Sequence, residues 1–215
     1  MRFALEKMRK FSLKALLFVV LCSGVSYGAD AIGETPVADP DSIEALFSRG
    51  QFEGALTSGA LFSPFLATLN RPTINYTITE VQVWYMLGDV KGEGGLRGNF
   101  EFIGEGFGSA IFHGPGSFIA GITLWGRYNF VQPGWRFVPF LQAGAGLTST
   151  DVPHRYVGQP FNFNLELGAG TRFFVAPRWA LAAEFRYQHI SNANTGPHNL
   201  GINSHGPILG ISYLF

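Results

Sequence analysis

The sequence predicts an all-β protein: an eight-stranded antiparallel transmembrane β-barrel of the bacterial outer membrane, preceded by an N-terminal signal peptide. Three observations lead to this prediction. Apolar and polar residues alternate with period two over eight segments. Most of these segments are longer than the roughly 5–6 residues of a typical soluble strand. The chain begins with a secretory signal and ends on an aromatic residue, Phe215.

The composition excludes several other classes of protein. Charged residues make up 14% of the 215 residues, against about 25% in ordinary soluble proteins, whereas aromatic residues reach 15%. Disorder requires low hydrophobicity and high charge, and nucleic-acid binding requires a basic face, so neither fits this chain. The single cysteine excludes an internal disulfide and a cysteine-based zinc site, and no metal-binding or cofactor motif is present.

The N-terminus predicts export and sets the domain boundaries. Residues 1–29 have a basic start, a short apolar run at 15–22 and small residues before Ala29, which is the pattern of a cleaved signal peptide. A second cleavage site is offered at Ala29-Asp30-Ala31. The apolar run is shorter than the about 18 residues that a membrane-spanning helix needs. Residues 30–51 are expected to form a periplasmic segment with a short helix capped by Asp41, and residues 52–215 the barrel.

The body of the chain alternates throughout. The eight strands are predicted at 52–62, 73–88, 95–110, 117–130, 135–148, 161–175, 178–190 and 206–215. In the seventh, Leu181, Phe185 and Tyr187 share one face, while Glu184 and Arg186 share the other. The apolar face is strongly aromatic, and the polar face mixes glycine, acids and bases. We therefore predict a small closed barrel with an apolar exterior and an ion-paired interior, in which closure removes unpaired strand edges.

The strand count predicts the topology. An even number of strands places both termini on the periplasmic side. The periplasmic turns are then 89–94, 131–134 and 176–177, and the extracellular loops are 63–72, 111–116, 149–160 and 191–205. The last strand, with its outward alternation up to Phe215, resembles the C-terminal recognition strand of bacterial outer-membrane proteins, which implies the outer-membrane insertion machinery as a partner. The sequence gives no indication of the oligomeric state.

One constellation of polar residues breaks the pattern. His189 and Ser191 lie two residues apart, so on a strand they point the same way, with Phe185 and Tyr187 toward lipid. Polar groups that face hydrocarbon are costly, and the topology puts this pair at the extracellular end of the seventh strand. A histidine and a serine at that depth suggest a serine esterase acting on an acyl chain. The alternative is that both residues lie above the membrane and cap the loop.

The same stretch resembles a known family. His189-Ile190-Ser191-Asn192-Ala193, the following Asn199 to Asn203 and the closing strand are similar to the outer-membrane lipid A 3-O-deacylase (acyloxyacyl hydrolase) family. The resemblance implies hydrolysis of an ester-linked acyl chain of lipid A in the lipopolysaccharide leaflet, without a cofactor. It implies Ser191 as nucleophile, His189 as general base, and Asn192 and Ala193 as residues that stabilise the oxyanion.

The sequence departs from the family at the third catalytic position. The resemblance implies a glutamate twelve residues after Ser191, where this chain has Asn203. Antiparallel pairing across 191–205 is expected to bring Asn203 next to His189, where it can accept a hydrogen bond but supplies no negative charge. A weak enzyme, an asparagine-assisted enzyme and a non-catalytic structural or adhesion barrel remain as alternatives. A transport pore is disfavoured because side chains fill the interior of an eight-stranded barrel.

Overall fold

The computed structural model describes residues 41–63 and 73–215, and in them the eight-stranded barrel predicted from the sequence is confirmed. Each strand pairs antiparallel with its neighbours in the chain, and β1 closes the barrel against β8. The strands are β1 Phe52–Leu61, β2 Asn75–Met86, β3 Gly98–His113, β4 Phe118–Phe130, β5 Phe137–Thr150, β6 Phe161–Ala176, β7 Trp179–Ser191 and β8 Ile202–Leu214. The predicted signal peptide and residues 30–40 lie outside the described residues.

The two ends of the barrel differ. The end that carries residues 62–63 and 73–74 and connections 114–117, 151–160 and 192–201 is termed the rim, and the opposite end the base. The helix α1, Ile43–Leu46, and a 3-10 turn, Gly94–Leu96, belong to the base. The helix α2, His154–Val157, belongs to the rim. In the part of the chain that the structure describes, no helix combines the length and the apolar character needed to cross a membrane.

Burial follows the period-two pattern along every strand. In β2 the burial alternates strictly, with Tyr76, Ile78 and Trp84 inside and Val81 and Val83 outside. Successive side chains of a strand point to opposite faces, so the sequence pattern maps directly onto the two surfaces of the barrel. The exterior is lined by exposed phenylalanine, leucine and valine side chains. This surface has the apolar character that contact with lipid requires.

Apolar side chains fill both ends of the interior. At the base, Leu46 and Phe47 from the α1 segment pack with Met86, Phe174 and Leu214. A second cluster fills the rim, with members Leu61, Ile74, Tyr76, Ile78, Phe107, Ile119, Val152, Val157, Ile190, Ile202 and Ile208. The buried charged residues are thereby held in the middle of the barrel, between two apolar layers.

A buried ion network occupies that middle layer. The Arg186 guanidinium contacts the carboxylates of Glu80, Glu105, Glu166 and Glu184, and all five side chains are at most 6% exposed. A second centre is formed by Arg172, which pairs with Glu53 and Glu101. Each arginine contacts acids from more than one strand, so the network ties the barrel together across its interior as well as along its sheet.

Aromatic rings complete the surroundings of the buried arginines. The Arg127 guanidinium lies 4.1 Å from the ring centres of both Trp84 and Phe140. Arg186 lies 4.6 Å from the ring centre of Trp125. A guanidinium over an aromatic face gains cation–π attraction, which is stronger where water is excluded. The interior is therefore ion-paired, as the polar face of the strands predicted.

Two local predictions are corrected by the structure. The last strand begins at Ile202 and not at residue 206, because its alternation and its ladder with β7 continue through the polar residues Asn203 and His205. The short helix is capped by Ser42, whose hydroxyl accepts a hydrogen bond from the Ala45 amide at 3.3 Å. The predicted cap, Asp41, instead accepts a hydrogen bond from Arg178 on the exposed base.

Removing the cation at the centre of the ion network is expected to destabilise the barrel. Arg186→Met leaves four buried carboxylates without their shared partner. We expect the free energy of unfolding to fall by about 3–5 kcal/mol, because breaking a buried pair leaves uncompensated charge. Urea titration of the folded barrel in lipid vesicles, followed by tryptophan fluorescence, measures the change.

Arg178→Met is the matched control, because Arg178 pairs with Asp41 where both side chains are at least 34% exposed. An exposed pair contributes at most about 1 kcal/mol. Equal losses of stability in the two variants would contradict a structural role for the interior network.

Candidate active site

His189 and Ser191 form a hydrogen-bonded pair at the rim. Both lie at the end of β7 on its outward face, and both are half-buried. The distance from His189 Nε2 to Ser191 Oγ is 3.0 Å. Residues two apart on a strand project from the same face, so the strand itself sets this contact. The pair has the nucleophile–base geometry that acyl-transfer sites require.

Asn203 lies directly opposite His189 in the β7–β8 register. Its side-chain oxygen, Oδ1, is 2.6 Å from His189 Nδ1. The same oxygen accepts a second hydrogen bond, from the Tyr187 hydroxyl at 2.8 Å. The four side chains form one chain of hydrogen bonds, from Tyr187 through Asn203 and His189 to Ser191, on the outer surface of the barrel. The alternation of β7 predicts that Tyr187 lies on this face, but the sequence gives no sign of its contact with Asn203.

The barrel's carboxylates do not enter this chain of hydrogen bonds. Glu184 on β7 and Glu166 on the neighbouring β6 point inward, away from His189, and contact Arg186. Within residues 41–63 and 73–215, no carboxylate hydrogen-bonds to His189 or Asn203, and no group of three or more histidine, cysteine, aspartate or glutamate residues is arranged to hold a metal ion. The charged interior and the polar outer site are separate systems.

Asn192 organises the loop that follows Ser191. Its buried side-chain amide donates to the carbonyls of Val157 and His198, and its side-chain oxygen accepts from the Asn194 amide. Its backbone N–H donates to the side chain of Asn199 at 3.1 Å. Every polar group of Asn192 that could face a substrate is thus already engaged in the loop.

Ala193 adopts an unusual backbone conformation beside the candidate nucleophile. Its φ is 52°, and the φ of the next residue, Asn194, is 62°. Left-handed conformations are uncommon for residues other than glycine and cluster at functional sites. In the described part of the chain, the Ala193 amide has no hydrogen-bond acceptor. The family resemblance implies Asn192 and Ala193 in oxyanion stabilisation. Of these two, Ala193 is the one whose backbone N–H has no acceptor among the described residues.

Gly201 lies against the histidine from the other side of the loop. Its φ is +71°, and a Cβ placed on it would lie 3.0 Å from the Ile190 carbonyl oxygen, 3.3 Å from His189 Cε1 and 3.6 Å from Ser191 Cβ. Only glycine combines this backbone conformation with so close an approach. The sequence pattern of 199–203 contained this residue, but nothing in it indicated contact with His189.

The rim loops hold the site in place. The Tyr156 carbonyl oxygen, in α2, accepts hydrogen bonds from the amides of Leu200 and Gly201. Val157 is fully buried in the rim cluster below. Elsewhere at the rim, Asp151 fixes the connection before β4, because its carboxylate accepts hydrogen bonds from the hydroxyl and the amide of Ser117. These hydrogen bonds lower the pKa of Asp151.

The fold is that of a closed outer-membrane barrel with an apolar exterior, and a histidine–serine pair lies on its outer surface. The chain is a member of the lipid A 3-O-deacylase (PagL) family, whose sequence profile matches residues 75–212. Comparison with curated protein sequences gives no match.

Solved structures that share the fold include two with TM-scores above 0.5. The crystal structure of the outer membrane enzyme PagL superposes with a TM-score of 0.52 and 18% identity, covering 74% of this chain and 98% of that chain. The crystal structure of Neisserial surface protein A (NspA) superposes with a TM-score of 0.54 and 19% identity, covering 77% and 97%. Family membership and the closed apolar barrel together place this chain in the bacterial outer membrane.

A side chain at residue 201 is expected to disturb the histidine–serine contact. Gly201→Ala forces a methyl group against His189 and the Ile190 carbonyl. We expect the His189 Nε2–Ser191 Oγ distance, now 3.0 Å, to lengthen measurably in a crystal structure of the variant.

Gly134→Ala provides the control for backbone strain. Gly134 has a φ of +72°, almost the same as Gly201, but a Cβ there would meet nothing within 4 Å. Both variants are expected to lose about 1–2 kcal/mol of stability from the left-handed conformation. An unchanged His189–Ser191 distance in Gly201→Ala would show that this close contact does not shape the site.

Proposed function

We propose that this chain is a serine esterase of the outer membrane that removes an ester-linked acyl chain from lipid A. The observation that carries the proposal is the 3.0 Å contact between His189 Nε2 and Ser191 Oγ on the lipid-facing side of the rim. Membership of the lipid A 3-O-deacylase family supports the substrate class and names the 3-O chain. The half-buried position suits a substrate whose reacting ester lies at the boundary between acyl chains and head group.

The chemistry follows from the protonation of His189. With Nδ1–H donating to Asn203 Oδ1, the lone pair of Nε2 faces the Ser191 hydroxyl. Ser191 Oγ attacks the ester carbonyl carbon, and its proton passes to Nε2. The tetrahedral intermediate then collapses, the sugar oxygen leaves with the proton from Nε2, and the acyl chain stays on Ser191. Water, activated by the same histidine, releases the fatty acid and restores the hydroxyl.

The oxyanion of the tetrahedral intermediate is assigned to the Ala193 amide. This N–H follows the nucleophile closely in the chain and has no hydrogen-bond partner in the described residues. A backbone donor held in a fixed turn stabilises a developing negative charge without reorganisation. Asn192 contributes by fixing the turn through Val157 and His198, so its role in oxyanion stabilisation is indirect.

Asn203 takes the place of the acid. It accepts from His189 Nδ1 and so sets the orientation of the ring, as the asparagine of a Cys-His-Asn site does. It supplies no negative charge to the imidazolium that forms during the reaction. We therefore propose an active enzyme whose chemical step is slower than that of a relative with a carboxylate at this position.

The orientation in the membrane follows from the substrate. Lipid A occupies the outer leaflet, so the rim is assigned to the extracellular side, and the base with α1 and Phe215 to the periplasm. Phe215 and the alternating β8 strand would engage the outer-membrane insertion machinery. Residues 1–29 are assigned as the signal peptide and residues 30–51 as a periplasmic segment.

A non-catalytic barrel of the same fold is the second candidate function. The observation that favours it is Asn203, which stands where the family resemblance implies a glutamate. Such a barrel would serve a structural or adhesive role, and substitutions at His189 and Ser191 would leave its phenotype unchanged.

Removing the Ser191 hydroxyl is expected to abolish deacylation. Cells that express the wild-type chain should show lipid A lacking one ester-linked acyl chain by mass spectrometry, and Ser191→Ala should restore the intact pattern. Ser58→Ala is the matched control, because Ser58 is an exposed serine on the outward face of β1. Its loss should leave deacylation unchanged. An intact acyl pattern with the wild-type protein folded in the membrane would favour the non-catalytic barrel.

Restoring a charge at residue 203 is expected to accelerate the enzyme. Asn203→Asp keeps the shape of the side chain and adds a carboxylate against His189. In a serine protease the opposite change, aspartate to asparagine, costs about four decades in rate, so we expect kcat to rise at least about tenfold. Release of fatty acid from purified lipid A in detergent micelles measures kcat. A decrease in kcat would show that residue 203 does not act through the imidazolium.

A further inference from the structure

The Tyr187 hydroxyl lies next to the three candidate catalytic residues, Ser191, His189 and Asn203. It donates to Asn203 Oδ1 at 2.8 Å, and the same oxygen accepts from His189 Nδ1 at 2.6 Å. Tyr187 precedes His189 by two residues on β7, so both project outward from one strand. Among the described residues, these two side chains are the ones that hydrogen-bond to Asn203.

The direction of the Asn203 amide decides whether His189 can act as a base. A carboxylate presents an acceptor whichever way it turns, but an amide has one acceptor end and one donor end. With Oδ1 toward His189, Nδ1 carries the proton and the Nε2 lone pair faces Ser191. With Nδ2 toward His189, Nδ1 becomes the acceptor and Nε2 carries the proton. The histidine then donates to Ser191 Oγ and cannot take its proton.

We propose that Tyr187 is a positioning residue that holds the Asn203 amide with its oxygen toward His189. The Oδ1 atom has two lone pairs, and the observed arrangement uses one for each donor. In the reversed arrangement the Tyr187 hydroxyl proton would lose its acceptor. Tyr187 is 39% exposed, and among the described residues Asn203 Oδ1 is the acceptor that its hydroxyl proton has. The tyrosine thus selects the tautomer that an acid would select by its charge.

The neighbouring side chains do not supply this function. His205 lies opposite Tyr187 in the register, and its ring packs against Phe185 with centres 5.7 Å apart. Gly201, on the other side of His189, carries no side chain. The orientation of Asn203 therefore depends on one hydroxyl group. This inference rests on the proposed esterase function for its kinetic consequence, but the histidine tautomer is a property of the protein alone.

The first test measures that tautomer directly. The protein is labelled with ¹⁵N-histidine, folded in lipid nanodiscs and studied by NMR at about pH 9, where histidine side chains are ordinarily neutral. His189 is assigned by its loss in His189→Gln. The wild type should show protonated Nδ1, Tyr187→Phe should shift His189 toward protonated Nε2, and Tyr187→Phe with Asn203→Asp should return it to protonated Nδ1. An unchanged tautomer in Tyr187→Phe would overturn the proposal.

The second test is a double-mutant cycle on kcat for release of fatty acid from purified lipid A. With Asn203 present, Tyr187→Phe should lower kcat by about tenfold, the size expected from one lost hydrogen bond. When Tyr187→Phe is combined with Asn203→Asp, it should cost less than about twofold relative to Asn203→Asp alone, because a carboxylate accepts from Nδ1 in either orientation. Equal losses in the two backgrounds would mean that Tyr187 serves only packing or substrate contact, and would overturn the proposal.

Tyr85→Phe is the matched control. Tyr85 is 37% exposed on the outward face of β2, close to the 39% of Tyr187, and lies at the base, away from His189. It should change neither the tautomer nor kcat. If no variant releases fatty acid, the esterase function fails, and the NMR result alone decides the positioning role of Tyr187.

Discussion

The closure of the backbone hydrogen-bond ladder is the constraint on which the rest of this structure depends. A sheet whose outer face meets hydrocarbon has no water to satisfy unpaired N–H and C=O groups, so β1 must pair with β8. Closure with eight strands leaves an interior that side chains fill. Charges placed inside must then find their partners inside, as Arg186 and the four glutamates that it contacts illustrate. The apolar clusters at base and rim keep this charged layer away from both ends of the barrel.

The same constraint makes the outward polar residues conspicuous. On a face built for lipid, Tyr187, Asn203, His189 and Ser191 are linked by contacts of 2.8, 2.6 and 3.0 Å. Each polar group in the chain finds its partner in the next, which reduces the cost of placing it beside hydrocarbon. The rim loop adds the remaining elements through Asn192, Ala193 and Gly201. A fixed polar site on a lipid-facing wall is what a reaction on a membrane-embedded ester needs.

A neutral residue at position 203 has a physical rationale at this depth. A carboxylate on the outer surface would have to be desolvated, and an ionised group in an apolar environment is far more costly than an amide. An amide avoids that cost but loses the stabilisation of the imidazolium, and it must also be held in one of its two orientations. The hydrogen bond that Tyr187 donates to Asn203 Oδ1 favours one of these two orientations. Residue 203 thus belongs to a network of neutral hydrogen-bonded side chains and carries no charge.

The sequence by itself determined the strand number, the assignment of residues to the two faces, and the outward placement of His189, Ser191 and Asn203. These follow from period two, which is a local property of each strand. The pairing across 191–205 that brings Asn203 next to His189 also follows from the sequence pattern, and the register shows the two residues opposite each other. The tertiary structure alone decided the Tyr187 contact, the approach of Gly201 and the engagement of Asn192 by Val157. Such contacts join different strands and loops, and their geometry depends on how the barrel closes, which no single segment encodes.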